Sequence, residues 1–97
     1  MICIDFHVDA EAELDAAVSF YESAMPGLGK AFVAEAENAI KLLQNYPDAG
    51  LNLGRKLRKL RLKRFPFSLI YQHDARRILI LAVAHHRRRS GYWKSRT

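Results

Sequence analysis

The sequence predicts an α+β fold in the order β-α-α-β-β-β, with a helical hairpin packed on one face of a small antiparallel sheet. Two observations carry this prediction. Apolar residues recur every three or four positions through the first half of the chain, and every second position in much of the second half. In addition, residues 78–84 are seven consecutive apolar residues, as expected of a central strand covered on both faces.

The N-terminal half is predicted to hold one strand and two helices. Residues 2–8 alternate in polarity, which predicts a short strand with Val8 on its apolar face, and Asp9 is then placed to cap the first helix. The segment MPGLG at 25–29 ends that helix, and the second helix should end before Pro47. The apolar residues at helical spacing are Leu14, Val18, Tyr21 and Met25 in the first helix and Phe32, Ala36, Ala39, Ile40 and Leu43 in the second.

The C-terminal half is predicted to form three strands. In KLRLK, residues 59–63, two leucines alternate with three cations, so one face of this strand should be buried and the other cationic. Pro66 begins the next strand, where its missing N–H is tolerated. A turn at residues 73–76 then leads into the last strand, residues 77–84.

Length and composition restrict the class of protein. Ninety-seven residues are enough for one domain, residues 1–97, with one modest core, and 27% charged residues are typical of a soluble globular protein. The longest apolar run is far shorter than the roughly 20 residues of a membrane helix, so no membrane association is expected. The N-terminus lacks the basic start of a signal peptide, and the single cysteine, Cys3, forms no internal disulfide. These features predict a cytoplasmic protein.

Charge divides the chain into two unequal halves. Residues 1–48 hold nine acidic and two basic residues, whereas residues 49–97 hold one acidic and fourteen basic residues. Such asymmetry predicts an acidic or polyanionic partner for the C-terminal half. The alternative is a solvated basic surface without a partner.

The candidate binding surface combines one strand with the segment HHRRRSGYW, residues 85–93. If the helices cover the leucine face of residues 59–63, the cations of that strand lie on the opposite face, beside the segment that leaves the last strand. Arginine and aromatic residues dominate interface hot spots. The candidate residues are Lys59, Arg61, Lys63, Arg64, His86, Arg87, Arg88, Arg89, Tyr92 and Trp93.

These residues also have structural alternatives. The three arginines at 87–89 can serve as a solubilising strand end, and Tyr92 and Trp93 can close the core. His85 and His86 are adjacent and should point to opposite faces, so a structural role is favoured for both. One should pack at the sheet edge with a hydrogen bond, and the other should face the basic surface, where the arginines would favour its neutral form. One cysteine and four scattered histidines give no metal-ligand spacing, so no metal or cofactor is predicted.

Five segments, in their order and spacing, resemble a known family. They are AEAELDAAVSFYE (10–22), GLGKAF (27–32), NYP (45–47), RFPFSLIY (64–71) and ILAVAHHRR (80–88). Across about residues 8–93 the chain resembles the RelE/ParE toxins of type II toxin–antitoxin modules. The resemblance implies a small bacterial toxin that is neutralised in a hetero-oligomer by an acidic antitoxin, a partner that a cationic surface attracts.

The resemblance implies one of two activities. ParE-like members inhibit DNA gyrase without known catalytic chemistry, whereas RelE-like members cut messenger RNA in the ribosome. Metal-free RNA cleavage needs a base, a cation and an acid. The resemblance assigns nuclease positions to Lys59, Arg61 and Arg87, with Tyr92 near the position of the family's C-terminal tyrosine.

Two departures favour the ParE-like branch. Ser68 stands where RelE-like toxins hold the scissile phosphate with an arginine, and Trp93 falls on the tyrosine position. We therefore expect a non-enzymatic inhibitor of DNA gyrase. The alternatives are a ribosome-dependent mRNA endonuclease and, supported by charge alone, a housekeeping nucleic-acid-binding module.

Overall fold

The computed structural model describes residues 2–97 and packs two helices against one five-stranded sheet. The elements are β1 (Cys3–Phe6), α1 (Val8–Ala24), α2 (Leu28–Asn45), β2 (Leu51–Gly54), β3 (Leu57–Arg61), β4 (Phe67–Asp74), β5 (Arg77–His85) and a short 3-10 helix (Lys94–Arg96). The strands lie in the order β1-β5-β4-β3-β2. The predicted α+β class and helical hairpin are confirmed, and Pro66 directly precedes β4 as expected.

Two features of the sheet differ from the prediction. An additional strand, β2, pairs antiparallel with β3, and all four of its residues are exposed, so it has no buried face that alternation can reveal. β1 pairs with β5 in parallel, so the sheet is mixed rather than wholly antiparallel. Alternation in polarity indicates which face of a strand is buried but not the direction in which it pairs.

The ends of α1 also differ from the prediction. The N-cap is His7, whose Nδ1 accepts a hydrogen bond from the Asp9 backbone N–H at 3.0 Å. Asp9 lies in the first helical turn, where a negative charge is favourable near the positive end of the helix dipole. Val8 is consequently helical and 74% exposed rather than on a buried strand face, and Met25 is exposed just beyond the last helical residue.

A carboxylate closes the turn between the helices. Glu22 of α1 accepts hydrogen bonds from the backbone N–H groups of Gly27 and Gly29 at 3.0–3.1 Å, which satisfies donors at the start of α2. Gly29 lies so close to α1 that an added Cβ would be 2.7 Å from the Val18 carbonyl oxygen. The GLG segment therefore permits the close packing of the two helices.

The main core lies between the helices and the sheet. Pairs among four aromatic rings meet there with centroids 4.9–6.2 Å apart; the rings belong to Tyr21, Phe32, Phe65 and Phe67. A smaller cluster on the other face of the sheet joins Trp93 to Ile70 and Ala82. None of the helices within residues 2–97 has the length and apolar content to cross a membrane.

A β-bulge in β5 determines which residues reach each cluster. Tyr71 lies opposite Ile80 and Ile70 lies opposite Ala82, which leaves Leu81 as the additional residue of β5. Ile80 belongs to the main core, whereas Ala82 packs beneath Trp93 on the other face. The prediction that this strand is covered on both faces is therefore confirmed.

Candidate functional site

A groove of about 940 Å³ lies on the sheet face that carries Trp93, away from the helices. We call it the basic groove. Its floor is formed by β3, β4 and β5, and its rim by the turn between β2 and β3 and by the C-terminal segment, residues 86–97. Among the described residues that line it none is acidic, and the cations are Arg55, Lys59, Arg88, Arg89 and Lys94.

The structure brings most of the predicted site residues to this groove. Those that line it are Lys59, His86, Arg88, Arg89, Tyr92 and Trp93. Arg61 is exposed at the end of β3, directly opposite Ser68 in the strand register. Because directly paired residues share a face of the sheet, Arg61 is on the groove side beside the lining residue Ser68.

Three predicted residues lie elsewhere. Lys63 follows the end of β3, and its backbone N–H donates to Glu35 Oε2 on α2 at 2.8 Å. The exposed Arg64 has its guanidinium carbon 5.7 Å from the centroid of the ring of Phe65, a residue of the main core. Arg87 is exposed and does not line the groove.

Two cations of the groove were not predicted from the sequence. Arg55 lies in the turn between β2 and β3, where Gly54, Arg55 and Lys56 all have positive φ. Gly54 was the available turn signal, but β2 itself was not recognised. Lys94 begins the 3-10 helix of the C-terminal segment, whose docking against the sheet depends on contacts distant in sequence.

His86 and Ser68 form a polar pair beneath the cations. The Ser68 Oγ is 3.1 Å from His86 Nε2, and Ser68 is fully buried. Burial and the nearby charges of Arg61 and Lys59 lower the pKa of His86, which favours the neutral imidazole at pH 7 as expected. His85 has different partners, because its ring packs edge-on against Phe67 with centroids 5.0 Å apart.

Glu13 of α1 anchors the C-terminal segment from the opposite end of the sequence. Its two carboxylate oxygens accept hydrogen bonds from the Tyr92 hydroxyl at 2.8 Å and from Arg96 Nη1 and Nη2 at 2.9 and 3.0 Å. Burial alone would raise the pKa of Glu13, but the hydrogen bonds from Arg96, Tyr92 and the Val83 backbone outweigh burial and lower it. We call Glu13, Tyr92 and Arg96 the Glu13 cluster.

The Glu13 cluster also completes the edge of β5. Within the described residues, β1 pairs with β5 only as far as Phe6. Farther along that edge, the Val83 N–H donates to Glu13 Oε1 at 3.0 Å, and the Leu81 carbonyl accepts from Arg96 Nη1 at 3.0 Å. Backbone groups that would otherwise lack partners are thus satisfied by side chains. Neither Glu13 nor Arg96 was predicted, because the two residues are 83 positions apart in the sequence.

The two aromatic residues of the segment are held in the fold. Trp93 is 8% exposed, and its ring packs on the sheet. Burial and the bond to Glu13 raise the pKa of Tyr92 to about 12, so its hydroxyl remains a hydrogen-bond donor. The Arg88 guanidinium carbon lies 3.8 Å from the centroid of the Tyr92 ring, and the Arg88 side chain is 54% exposed. The Tyr92 ring therefore supports the Arg88 guanidinium at the rim of the groove.

Within residues 2–97, the acidic, histidine and cysteine side chains form no group of three or more that is suited to a metal ion. The described residues that line the groove offer charge, hydrogen bonding and apolar contact.

Comparisons with known proteins agree on one family. The sequence model described as "ParE toxin of type II toxin-antitoxin system, parDE" matches residues 4–90. The solved structure described as "Chromosomal ParDE TA system from P. aeruginosa" superposes with a TM-score of 0.74 at 26% identity, covering 88% of this chain and 96% of that chain. No curated protein sequence matches significantly.

Proposed function

Because this chain belongs to the ParE toxin family of type II toxin–antitoxin systems, we propose that it inhibits DNA gyrase without catalysing a reaction, and that a cognate acidic antitoxin neutralises it. The observation that carries this proposal is the basic groove, which combines five cations with a rim anchored to the core. A surface of this kind suits a tight contact with a macromolecule more than proton transfer to a small substrate.

Two observations argue against the ribosome-dependent nuclease. The Tyr92 hydroxyl is bound to Glu13, and its pKa of about 12 makes it a poor acid for a leaving oxygen. Arg87, the third cation that a nuclease would need, does not line the groove. Lys59 and Arg61 remain on the groove side, but without the other groups they support binding rather than cleavage.

Charge supports the antitoxin as the second partner. The C-terminal half holds fourteen basic residues and one acidic residue. Its positive charge would attract an acidic antitoxin over a distance, and binding of the antitoxin would reduce the repulsion among these basic residues. The proposed resting form is accordingly a hetero-oligomer of this chain with its antitoxin in the cytoplasm.

Gyrase supercoiling in the presence of the purified protein tests this function. The wild-type protein should inhibit supercoiling and should not cut messenger RNA on purified translating ribosomes. Lys59→Glu, on the groove floor, should raise the inhibitory concentration at least about tenfold, the effect of one central charged contact. Lys41→Glu, on the exposed side of α2, is the matched control and should leave inhibition unchanged.

The opposite pattern would show that the proposal is wrong. If messenger RNA is cut and gyrase is unaffected, the chain acts as a RelE-like nuclease. If Lys59→Glu and Lys41→Glu change gyrase inhibition equally, the basic groove is not the contact surface.

A further inference from the structure

Glu13 is set apart from the other acidic residues of α1 by its contacts. Its side chain is 16% exposed, and its carboxylate accepts four hydrogen bonds. One comes from the Val83 backbone in β5, and the other three come from Tyr92 and Arg96. A single helix residue therefore connects α1, the edge of β5 and the C-terminal segment.

Apart from the Glu13 cluster, the C-terminal segment is held mainly at its start and by Trp93. The His86 N–H donates to the Pro66 carbonyl at 2.9 Å, and the His86 ring meets Ser68. Within residues 86–97, Trp93 is the buried residue, and the remainder are exposed or half-buried. His86 therefore holds the start of the segment, and Trp93 is its apolar anchor. The Glu13 cluster supplies the second anchor, on the side of Trp93 that faces α1.

The second anchor continues to the groove through Tyr92. The Tyr92 hydroxyl is held by Glu13, and the ring of Tyr92 supports the Arg88 guanidinium at 3.8 Å. Arg88 Nη1 also lies 4.0 Å from Glu13 Oε2. Arg88 lines the basic groove, so the orientation of this cation depends on a carboxylate that does not itself line the groove.

We propose that Glu13 is a positioning residue of the toxin, whose carboxylate orients the C-terminal segment so that Arg88 and Arg89 line the basic groove for contact with the target. The inference rests on the proposed function only for the identity of the target. The placement of the segment by Glu13 stands on the contacts alone.

Hydrogen exchange and gyrase inhibition, measured on the same variants, test this role. Glu13→Gln keeps the size of the side chain and removes its charge. We expect amide exchange at Val83, Lys94 and Arg96 to accelerate at least tenfold, with no change at amides in the middle of β4. Gyrase inhibition should fall at least tenfold at a temperature where circular dichroism shows the variant fully folded.

Two further variants separate positioning from general stability. Glu11→Gln removes an exposed carboxylate from the same helix and should change neither measurement. Glu13→Asp keeps the charge on a shorter side chain and should restore part of both the exchange protection and the inhibition.

The outcomes are distinct. Unchanged exchange in Glu13→Gln would overturn the inference, as would accelerated exchange with full gyrase inhibition. If the wild-type protein does not inhibit gyrase, the proposed function fails, and the exchange data still decide whether Glu13 holds the segment.

Discussion

The two faces of the sheet are stabilised in different ways. On the helix side, four aromatic rings and the apolar residues of both helices form one continuous core. On the groove side, a small cluster around Trp93 is supplemented by the hydrogen bonds of the Glu13 cluster. The helix side therefore depends on apolar burial, which responds weakly to pH and salt, whereas the groove side also depends on charge.

Because the two faces are stabilised differently, substitutions on them should affect folding and binding to different extents. A change in the helix-side core should remove every activity together, because the whole chain unfolds. A change on the groove side should alter the placement of the C-terminal segment or the attraction of partners while the core persists.

Phe32→Ala should have the largest effect. Phe32 is fully buried and contacts Tyr21, Phe65 and Phe67. We expect a loss of about 4 kcal/mol in the free energy of unfolding, a large part of the total for a domain of this size. Urea denaturation measures it. Val33→Ala, at an exposed neighbouring position, should cost much less, and equal losses in the two variants would contradict a core centred on these rings.

Trp93→Ala should cost about 3 kcal/mol, because burial of a tryptophan is lost from the smaller cluster. The same variant should reduce gyrase inhibition, since the segment loses its apolar anchor. Differential scanning calorimetry gives the stability change. If the melting temperature is unaffected, Trp93 does not close this face of the sheet, and the ring would instead be available for contact with a partner.

The Glu13 cluster should make stability depend on pH in the acid range. The pKa of Glu13 in the folded protein lies below its usual value of 4.5, so its contribution is fully present above pH 4.5 and is lost as the pH falls through the folded pKa. At pH 7 we expect Glu13→Gln to cost about 2 kcal/mol. Unfolding curves of wild type and variant should converge on acidification, and a constant difference at every pH would exclude this charge as the cause.

The smallest effect should be on antitoxin association. Lys59→Glu should slow association about threefold at low ionic strength, and the difference should shrink as added salt screens the charges. Stopped-flow or surface plasmon resonance measurements over a range of salt concentrations give the rates. Equal association rates at low and high salt for the wild type would rule out electrostatic steering by the basic groove.

Local sequence patterns predicted much of the fold. The seven apolar residues at 78–84, the alternation of Leu60 and Leu62 with cations, and the glycines at 27 and 29 each have a local physical cause that the structure displays. β2 was not predicted because its four residues are all exposed. The parallel pairing of β1 with β5 was not predicted because the relative direction of two strands is set by the course of the chain between them.

The candidate site was only partly predictable for a related reason. Charge and composition identified Lys59, Arg88 and Arg89 among the cations of the groove, and six of the ten predicted residues line it. Nothing local to Glu13 indicates that it meets Arg96, and the sequence around Trp93 left open whether its ring packs on the sheet or contacts a partner. Contacts between the ends of a chain are determined by the tertiary fold, and no pattern within either segment encodes them.

The bulge at Leu81 gives the apolar run of β5 a second explanation. Before Leu81 the side chains that face the main core belong to even-numbered residues, such as Ile80, and after it they belong to odd-numbered residues, such as Val83. Ala82 faces Trp93 on the other side of the sheet. The positions that face the main core are thus even-numbered before Leu81 and odd-numbered after it, and the small cluster beneath Trp93 accounts for the apolar residues on the other face. Loss of Leu81 alone would restore a regular ladder and leave every later side chain on its present face. An insertion of one residue elsewhere in β5 would instead exchange the surroundings of His85 and His86. Loss of Leu81 would still remove a fully buried side chain and the carbonyl that accepts from Arg96 Nη1, so we expect it to destabilise the protein without reversing the faces of the later side chains.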